Sequence, residues 1–136
     1  MDTLHQAVEI LRRFNIRPSH QRVVVMEYLI KHPSHLTAEE VYNGLSTETS
    51  TLSKTTIYNT IRLFKDSGAV NAVHIGVEPE RLDSITHPHA HFYCNVCHQI
   101  HDVEIDHDLW QQVRNIVPDN AEELQILFRG VCSDCS

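Results

Sequence analysis

The chain has 136 residues, of which 41% are hydrophobic, and its formal net charge is −7 at pH 7. This length is sufficient for one ordinary domain or two small ones. The sequence contains no low-complexity tract that would predict disorder. The N-terminal stretch MDTLHQAVEILRRF mixes charged and apolar residues at helical spacing, unlike a signal peptide or a membrane span. We therefore expect a cytoplasmic protein that does not contact a membrane.

The charge is distributed unevenly along the chain. Residues 1–82 contain nine Lys and Arg and nine Asp and Glu, whereas residues 83–136 contain two Arg and nine acidic residues. A neutral, locally basic part followed by an acidic part predicts two domains with different functions. We place the boundary between residues 82 and 83.

The first part begins with the pattern of a helical domain. Apolar residues recur at helical spacing from Leu4 to Phe14, and Ser19 is a candidate N-cap for a second helix. The three valines that follow Ser19 also fit a strand, but the apolar stripe beyond them favours a helix. Thr37 and Glu40 have the spacing of a capping box, which predicts the start of a third helix.

The segment SKTTIYNTIRLFKDSG, residues 53–68, predicts a fourth helix that faces DNA. Ser53 is its candidate N-cap and Gly68 its candidate end. Its polar face carries side chains that donate to phosphates or base edges, although such a face is also compatible with simple solvation. The candidate DNA contacts are Arg22, Lys54, Thr55, Tyr58, Asn59 and Arg62. The stretches AVNAVHIG and ERLDSI then predict a β-hairpin, which completes the layout of a winged helix.

Two Cys-x-x-Cys pairs distinguish the second part. They are formed by Cys94, Cys97, Cys132 and Cys135. Four thiolates satisfy tetrahedral Zn(II) and leave no open coordination position, so the pairs predict a structural zinc site. A disulfide is less compatible with a reducing cytoplasm. A dithiol redox switch and metal-free core cysteines are the alternatives.

Nitrogen and oxygen donors near the first cysteine pair suggest a second metal site. His89 and His91 face the same side of a predicted strand, Asp102 lies on the following strand, and Asp83 precedes the histidines. Such donors suit Fe(II), Mn(II), Zn(II) or Co(II). The spacing alone does not exclude the neighbouring candidates His87, His98, His101 and Glu104.

The C-terminal stretches complete a small α/β unit. DHDLWQQVRNIV predicts a helix, and ELQILFRG predicts a strand that leads into the last cysteine pair. Exposed sheet edges allow dimerisation, and a winged helix that binds a palindrome requires a second copy. The predicted fold is α+β, with an N-terminal winged-helix DNA-binding domain and a small α/β dimerisation domain.

The chain resembles the ferric uptake regulator (Fur) family along essentially its whole length, and its peroxide-sensing (PerR) branch in particular. The resemblance is carried by RPSHQR, HLTAEEVY, SKTTIYNTIRLFKDSG, RLD, HAHFYCNVC, HDVE and CSDC. It implies a structural Zn(II) held by the four cysteines. It also implies a separate regulatory metal, Fe(II) or Mn(II), which holds a homodimer in its DNA-binding shape.

The resemblance also assigns the regulatory ligands. They are His35, Asp83, His89, His91 and Asp102. His35 directly precedes the third helix, so a metal shared with C-terminal residues would join the two domains and couple metal binding to DNA affinity. Asp rather than Glu at position 102 is typical of the peroxide sensors.

The function that the resemblance implies is peroxide-responsive repression. Fe(II) would react with hydrogen peroxide, the oxidant would modify His35 or His89, and loss of the metal would release double-stranded operator DNA. Mn(II) would give a peroxide-insensitive repressor. The alternative is an iron- or zinc-responsive repressor that binds its metal reversibly. We do not expect an enzyme, because the chain has no HExxH motif and no deaminase His-x-Glu with Pro-Cys-x-x-Cys.

Overall fold

The structure is a computed structural model that describes residues 2–49, 51–84 and 89–136. The chain forms two compact units, residues 1–86 and 87–136. This division lies slightly beyond residue 82, where the charge pattern places a boundary, and Asp83 belongs to the first unit. The fold is α+β, as predicted from the sequence. None of the described helices is long and apolar enough to span a membrane.

Helices dominate the described residues of the first unit. They are α1 (Thr3–Arg13), α2 (His20–Lys31), α3 (Ala38–Glu48) and α4 (Lys54–Ser67). Side chains of Ser19 and Ser53 cap α2 and α4 at the predicted positions. Both hydrogen bonds of the capping box between Thr37 and Glu40 are present at the start of α3. Residues 23–25 are therefore helical despite their strand propensity, because the cap and the buried stripe decide the local structure.

A hydrophobic cluster holds these helices together. Leu11 of α1, Met26 of α2 and Leu45 of α3 are each at most 1% exposed. From α4, the predicted apolar seam packs into the same cluster, with Ile57 and Phe64 at 1% and 0% exposure. Because one face of α4 is buried in this core, the opposite face of the helix points away from the core.

A short β-hairpin follows α4. Gly68 ends the helix in the left-handed conformation at φ 87°, and β1 (Asn71–Val73) pairs antiparallel with β2 (Arg81–Asp83). The strands are shorter than the sequence predicts, because a turn through Gly76 and Pro79 occupies the residues between them. Residue 85, in the predicted second strand, lies outside the described residues. Helices followed by this hairpin form a winged helix.

A three-stranded sheet and one helix form the second unit. They are β3 (Ala90–Cys94), β4 (Ile100–Val103), α5 (His107–Ile116) and β5 (Leu127–Gly130). The strand order is β4-β3-β5, with β4 antiparallel and β5 parallel to the central β3. The last strand starts at Leu127, later than predicted, because its pairing with β3 begins where Leu127 faces His91.

Candidate metal centres and nucleic-acid interface

The parallel pairing of β3 with β5 brings the two cysteine pairs together. Cys94 is the last residue of β3, and its partner in the register is Gly130, the last residue of β5. The N–H of Asn95 donates to the carbonyl of Gly130 over 2.7 Å. The segments that follow β3 and β5 therefore leave the sheet side by side. This places Cys132 next to Cys94, although many residues separate them in sequence.

The four thiols form one compact cluster. The Sγ atoms of Cys94, Cys97, Cys132 and Cys135 all lie within 4.8 Å of one another, and those of Cys97 and Cys132 are 3.8 Å apart. Backbone N–H groups of Val96, Cys97 and Cys132 donate to the Sγ of Cys94, each over 3.4 Å. Two ligands of a tetrahedral zinc, with Zn–S bonds of about 2.3 Å, lie roughly 3.8 Å apart, so the cluster has suitable dimensions.

The electrostatics of the cluster favour a bound cation. Donation from the backbone N–H groups, first that of Cys132 and then that of Cys97, lowers the pKa of the Cys94 thiol to about 5. Hydrogen bonding with the Cys132 thiol, together with burial, raises the pKa of Cys135 to about 12. The Cys94 thiolate therefore forms readily, whereas the Cys135 thiol stays protonated at neutral pH unless a cation compensates its charge. Soft sulfur donors in this number fit Zn(II).

A His–Asp pair lies within the first unit. The Nε2 atom of His35 is 3.8 Å from Oδ2 of Asp83, and these residues are only 7% and 4% exposed. The N–H of Leu82 donates to the carbonyl of Leu36 over 2.7 Å, which fixes the segment before α3 against β2. His35 has φ 57°, a left-handed conformation that a residue with a side chain rarely adopts. A small cavity of about 10 Å³ adjoins the pair.

A second group of nitrogen and oxygen donors lies within the second unit. Asp102 of β4 directly faces His91 of β3, and His89 precedes β3 by one residue. The Oδ1 atom of Asp102 is 3.2 Å from Nε2 of His89 and 3.5 Å from Nε2 of His91. The two imidazole centroids are 4.5 Å apart. Three donors of a type that binds Fe(II), Mn(II) or Zn(II) thus converge on one point.

The face of α4 opposite the core presents polar side chains. Lys54, Thr55, Asn59 and Arg62 are exposed, and Tyr58 is half-buried. An open groove of about 550 Å³ runs between α4 and the start of α2; its lining includes Arg17, Gln21, Arg22, Thr56 and Asn59. The Nη1 atom of Arg22 donates to the carbonyl of Arg17 over 2.9 Å. The groove therefore combines guanidinium and amide donors, the groups that contact nucleic acid.

The family model for ferric uptake regulators matches residues 13–125, which is most of the chain. This protein belongs to the ferric uptake regulator family. Among curated relatives, the peroxide-responsive repressor PerR of Staphylococcus epidermidis is 34% identical over 97% of this chain and 89% of its own length. The PerR of Staphylococcus aureus strain Mu50 is 32% identical over 97% of this chain and 90% of its own.

Solved structures of the ferric uptake regulator family share the fold. The regulator from Pseudomonas aeruginosa, determined with manganese, has a TM-score of 0.71 and 18% identity, and the match covers 93% of this chain and 98% of that one. PerR from Streptococcus pyogenes, described in terms of peroxide sensing and gene regulation, has a TM-score of 0.52 and 24% identity. That match covers 100% of this chain and 95% of the other.

The predicted site residues of this family member are distributed over both units. The thiol cluster contains all four cysteines. Of the predicted regulatory ligands, His35 and Asp83 belong to the first unit, and His89, His91 and Asp102 belong to the second. His98 contacts Tyr93 instead, with its Nδ1 atom 2.7 Å from the tyrosine hydroxyl. His101 is exposed on β4, where it faces Phe92. Residue 87, another candidate ligand, lies outside the described residues.

Local sequence patterns do not indicate the pair of His35 and Asp83. The two residues are far apart in sequence, and the hydrogen bond from the N–H of Leu82 to the carbonyl of Leu36 holds their segments together. Local patterns likewise give no signal for the contact between Tyr93 and His98 or for the position of Tyr42 beside α4. The cysteine spacing, in contrast, is a sufficient signal for the thiol cluster.

Proposed function

We propose that this protein is a metal-dependent, peroxide-responsive transcriptional repressor that acts as a homodimer on double-stranded DNA. The main support is that this chain contains two chemically different sets of metal donors. A site of soft sulfur donors and a site of nitrogen and oxygen donors suit different metals. The names of the relatives at 32–34% identity support the peroxide-responsive type.

Under this proposal, the thiol cluster holds a structural Zn(II). It fastens the turn after β3 to the segment after β5, so it stabilises the sheet of the second unit. Both outer strands of that sheet, β4 and β5, have an edge without a described neighbour. Such edges suit pairing with a second copy. We therefore assign dimerisation to residues 87–136 rather than to the predicted range 83–136, because Asp83 belongs to the hairpin of the first unit.

We infer that the regulatory metal is bound jointly by the pair His35 and Asp83 and the triad His89, His91 and Asp102. Two donors from the winged helix and three from the sheet unit would then hold one ion. Occupancy of that site would fix the two units relative to each other and thereby the spacing of the two winged helices in a dimer. Residues 1–82 would bind DNA through α4 and the groove beside it.

The proposed response to peroxide follows from the donors. The five donors would hold Fe(II), which would supply one electron to hydrogen peroxide and recover it from the attacked imidazole; Mn(II) would supply this chemistry poorly. Overall, one oxygen atom of the peroxide enters an imidazole ring and the other leaves as water, so the histidine is oxidised by two electrons. We propose His35 and His89 as the targets. An oxidised ring ligates weakly, so the units separate and the DNA is released.

Mass spectrometry of the metal-loaded protein tests this function. After brief exposure to peroxide, we expect one added oxygen on His35 or His89 in the Fe(II) protein, with parallel loss of DNA binding in a gel-shift assay. The Mn(II) protein should keep its mass and its affinity for DNA. His98 and His101, located by fragmentation of the same peptides, provide the internal control.

Two outcomes would contradict the peroxide mechanism. Oxygen on the cysteines alone would assign the response to the thiol cluster. An unmodified protein that keeps its iron, and whose DNA binding instead follows the free metal concentration, would be a reversible iron- or zinc-responsive repressor with the same fold.

A further inference from the structure

The ammonium group at the start of α4 lies close to two aromatic rings. The Nζ atom of Lys54 is 5.5 Å from the ring centroid of Tyr42 and 5.6 Å from that of Tyr58. Both distances are within the range of a cation–π interaction. Tyr58 is one turn along the same helix, but Tyr42 belongs to α3, so the contact joins two helices.

Lys54 occupies a position that local helix energetics disfavour. It is the first residue of α4, after the N-cap Ser53, and the first turn of α4 contains no acidic residue. The positive end of the helix dipole repels a cation there. The electron-rich ring faces of Tyr42 and Tyr58 offset this repulsion, so positive potential is concentrated at the N-terminus of α4.

The rings restrain Lys54 without covering it. Lys54 is exposed, whereas Tyr42 and Tyr58 are half-buried and pack against the hydrophobic core of the first unit. Contact with the two rings favours one position of the ammonium group before any ligand binds, and such preorganisation lowers the entropy lost on binding. Lys65, further along α4, differs because its ammonium already contacts the carboxylate of Glu80.

We propose that Tyr42 is a positioning residue for DNA binding, which together with Tyr58 holds the Lys54 ammonium for contact with a backbone phosphate of the operator. This inference rests on the proposed DNA-binding function and adds a residue of α3 to it. A phosphate contact supplies affinity and register rather than base specificity. Tyr42 therefore affects the affinity for every sequence similarly.

The salt dependence of DNA binding by the metal-loaded protein tests the role of Tyr42. Lys54→Met should weaken binding and reduce the slope of log K against log salt by about 0.9, the value for one lost phosphate contact. Tyr42→Leu should weaken binding roughly twofold to fivefold. Tyr42→Phe, which keeps the ring face, should restore the affinity. Lys31→Met removes a charge from the end of α2 and controls for net charge.

The double variant distinguishes positioning from a structural role. If Tyr42 acts through Lys54, Tyr42→Leu has no further effect in the Lys54→Met protein. An equal loss in both backgrounds, or a Tyr42→Phe protein as weak as Tyr42→Leu, would overturn the inference. If wild-type protein binds no duplex in any metal state, the proposed function itself fails. If wild type binds and Tyr42→Leu matches it, only this inference fails.

A measurement on the free wild-type protein covers the case in which Tyr42→Leu does not fold. Protons of the Lys54 side chain near two ring faces should resonate upfield of those of Lys31 in an NMR spectrum of protein with labelled lysine. Lys54 resonances at the position of a fully solvated lysine would show that the rings do not hold it, and would end the proposal.

Discussion

Gly44 illustrates how one residue sets the packing of two helices. A Cβ atom at this position of α3 would overlap the hydroxyl of Tyr28 and lie 2.5 Å from its Cζ atom. Tyr28 is 9% exposed, and its ring stacks on His32 with centroids 4.0 Å apart. The ring therefore has little freedom to move, and glycine at position 44 lets α2 and α3 approach each other.

We expect Gly44→Ala to destabilise the first unit despite the higher helix propensity of alanine. The gain in propensity is about 1 kcal/mol, whereas overpacking against a fixed ring costs about 1–3 kcal/mol. Urea denaturation should therefore give a lower free energy of unfolding. Asn43→Ala, on the exposed face of the same helix, is the control; equal stability of the two variants would mean that Tyr28 adjusts freely.

At the scale of secondary-structure elements, the register of β3 and β5 determines the thiol cluster. Cys94 is fully buried, and its Sγ atom accepts hydrogen bonds from three backbone N–H groups, whereas Cys97 is exposed. Both cysteines supply one sulfur to the proposed zinc site. They differ in how strongly they tie the turn after β3 to the segment after β5.

Cys94→Ala and Cys97→Ala should therefore have unequal effects. Both should lose zinc affinity, but Cys94→Ala also leaves three N–H donors without their sulfur acceptor, so it should lower the melting temperature more. Hydrogen exchange should speed up at Asn95 and Cys132 in both variants and stay unchanged in α1 and α4. A Cys94→Ala protein that keeps zinc and wild-type exchange would contradict the structural assignment.

Many of these elements could be predicted from the sequence because their signals are local. The N-caps at Ser19 and Ser53, the capping box at Thr37 and the helix end at Gly68 depend on neighbouring residues alone. The strand ends could not be predicted as well, since β5 starts where its pairing with β3 starts, which no local pattern encodes. The left-handed backbone of His35 and its approach to Asp83 also depend on tertiary contacts.

At the scale of the whole molecule, the proposed regulatory metal would link two units with different charge. If one ion is shared, His35→Ala in the winged helix and Asp102→Ala in the sheet unit should each weaken Mn(II) binding by about 10- to 100-fold or more. The effects should be non-additive in the double variant, since both residues would hold the same ion. Titration calorimetry of Mn(II) binding measures this.

His101→Ala is the matched control for that experiment, because His101 is the exposed neighbour of Asp102 on β4 and lies outside the proposed ligand set. It should bind Mn(II) like wild type. Normal Mn(II) affinity in His35→Ala, together with loss of binding in Asp102→Ala, would instead confine the metal to the sheet unit and remove the proposed link.

The parallel pairing of β3 with β5 also has a consequence for biosynthesis. The winged helix is complete once residue 84 has left the ribosome, so it can fold while the rest is still being translated. The thiol cluster, in contrast, requires Cys132 and Cys135, which are made after all three strands of the sheet. Capture of the proposed zinc by the four sulfurs would therefore follow the synthesis of the whole sheet. A cell short of zinc would accumulate chains whose first unit is folded and whose second unit is unfinished.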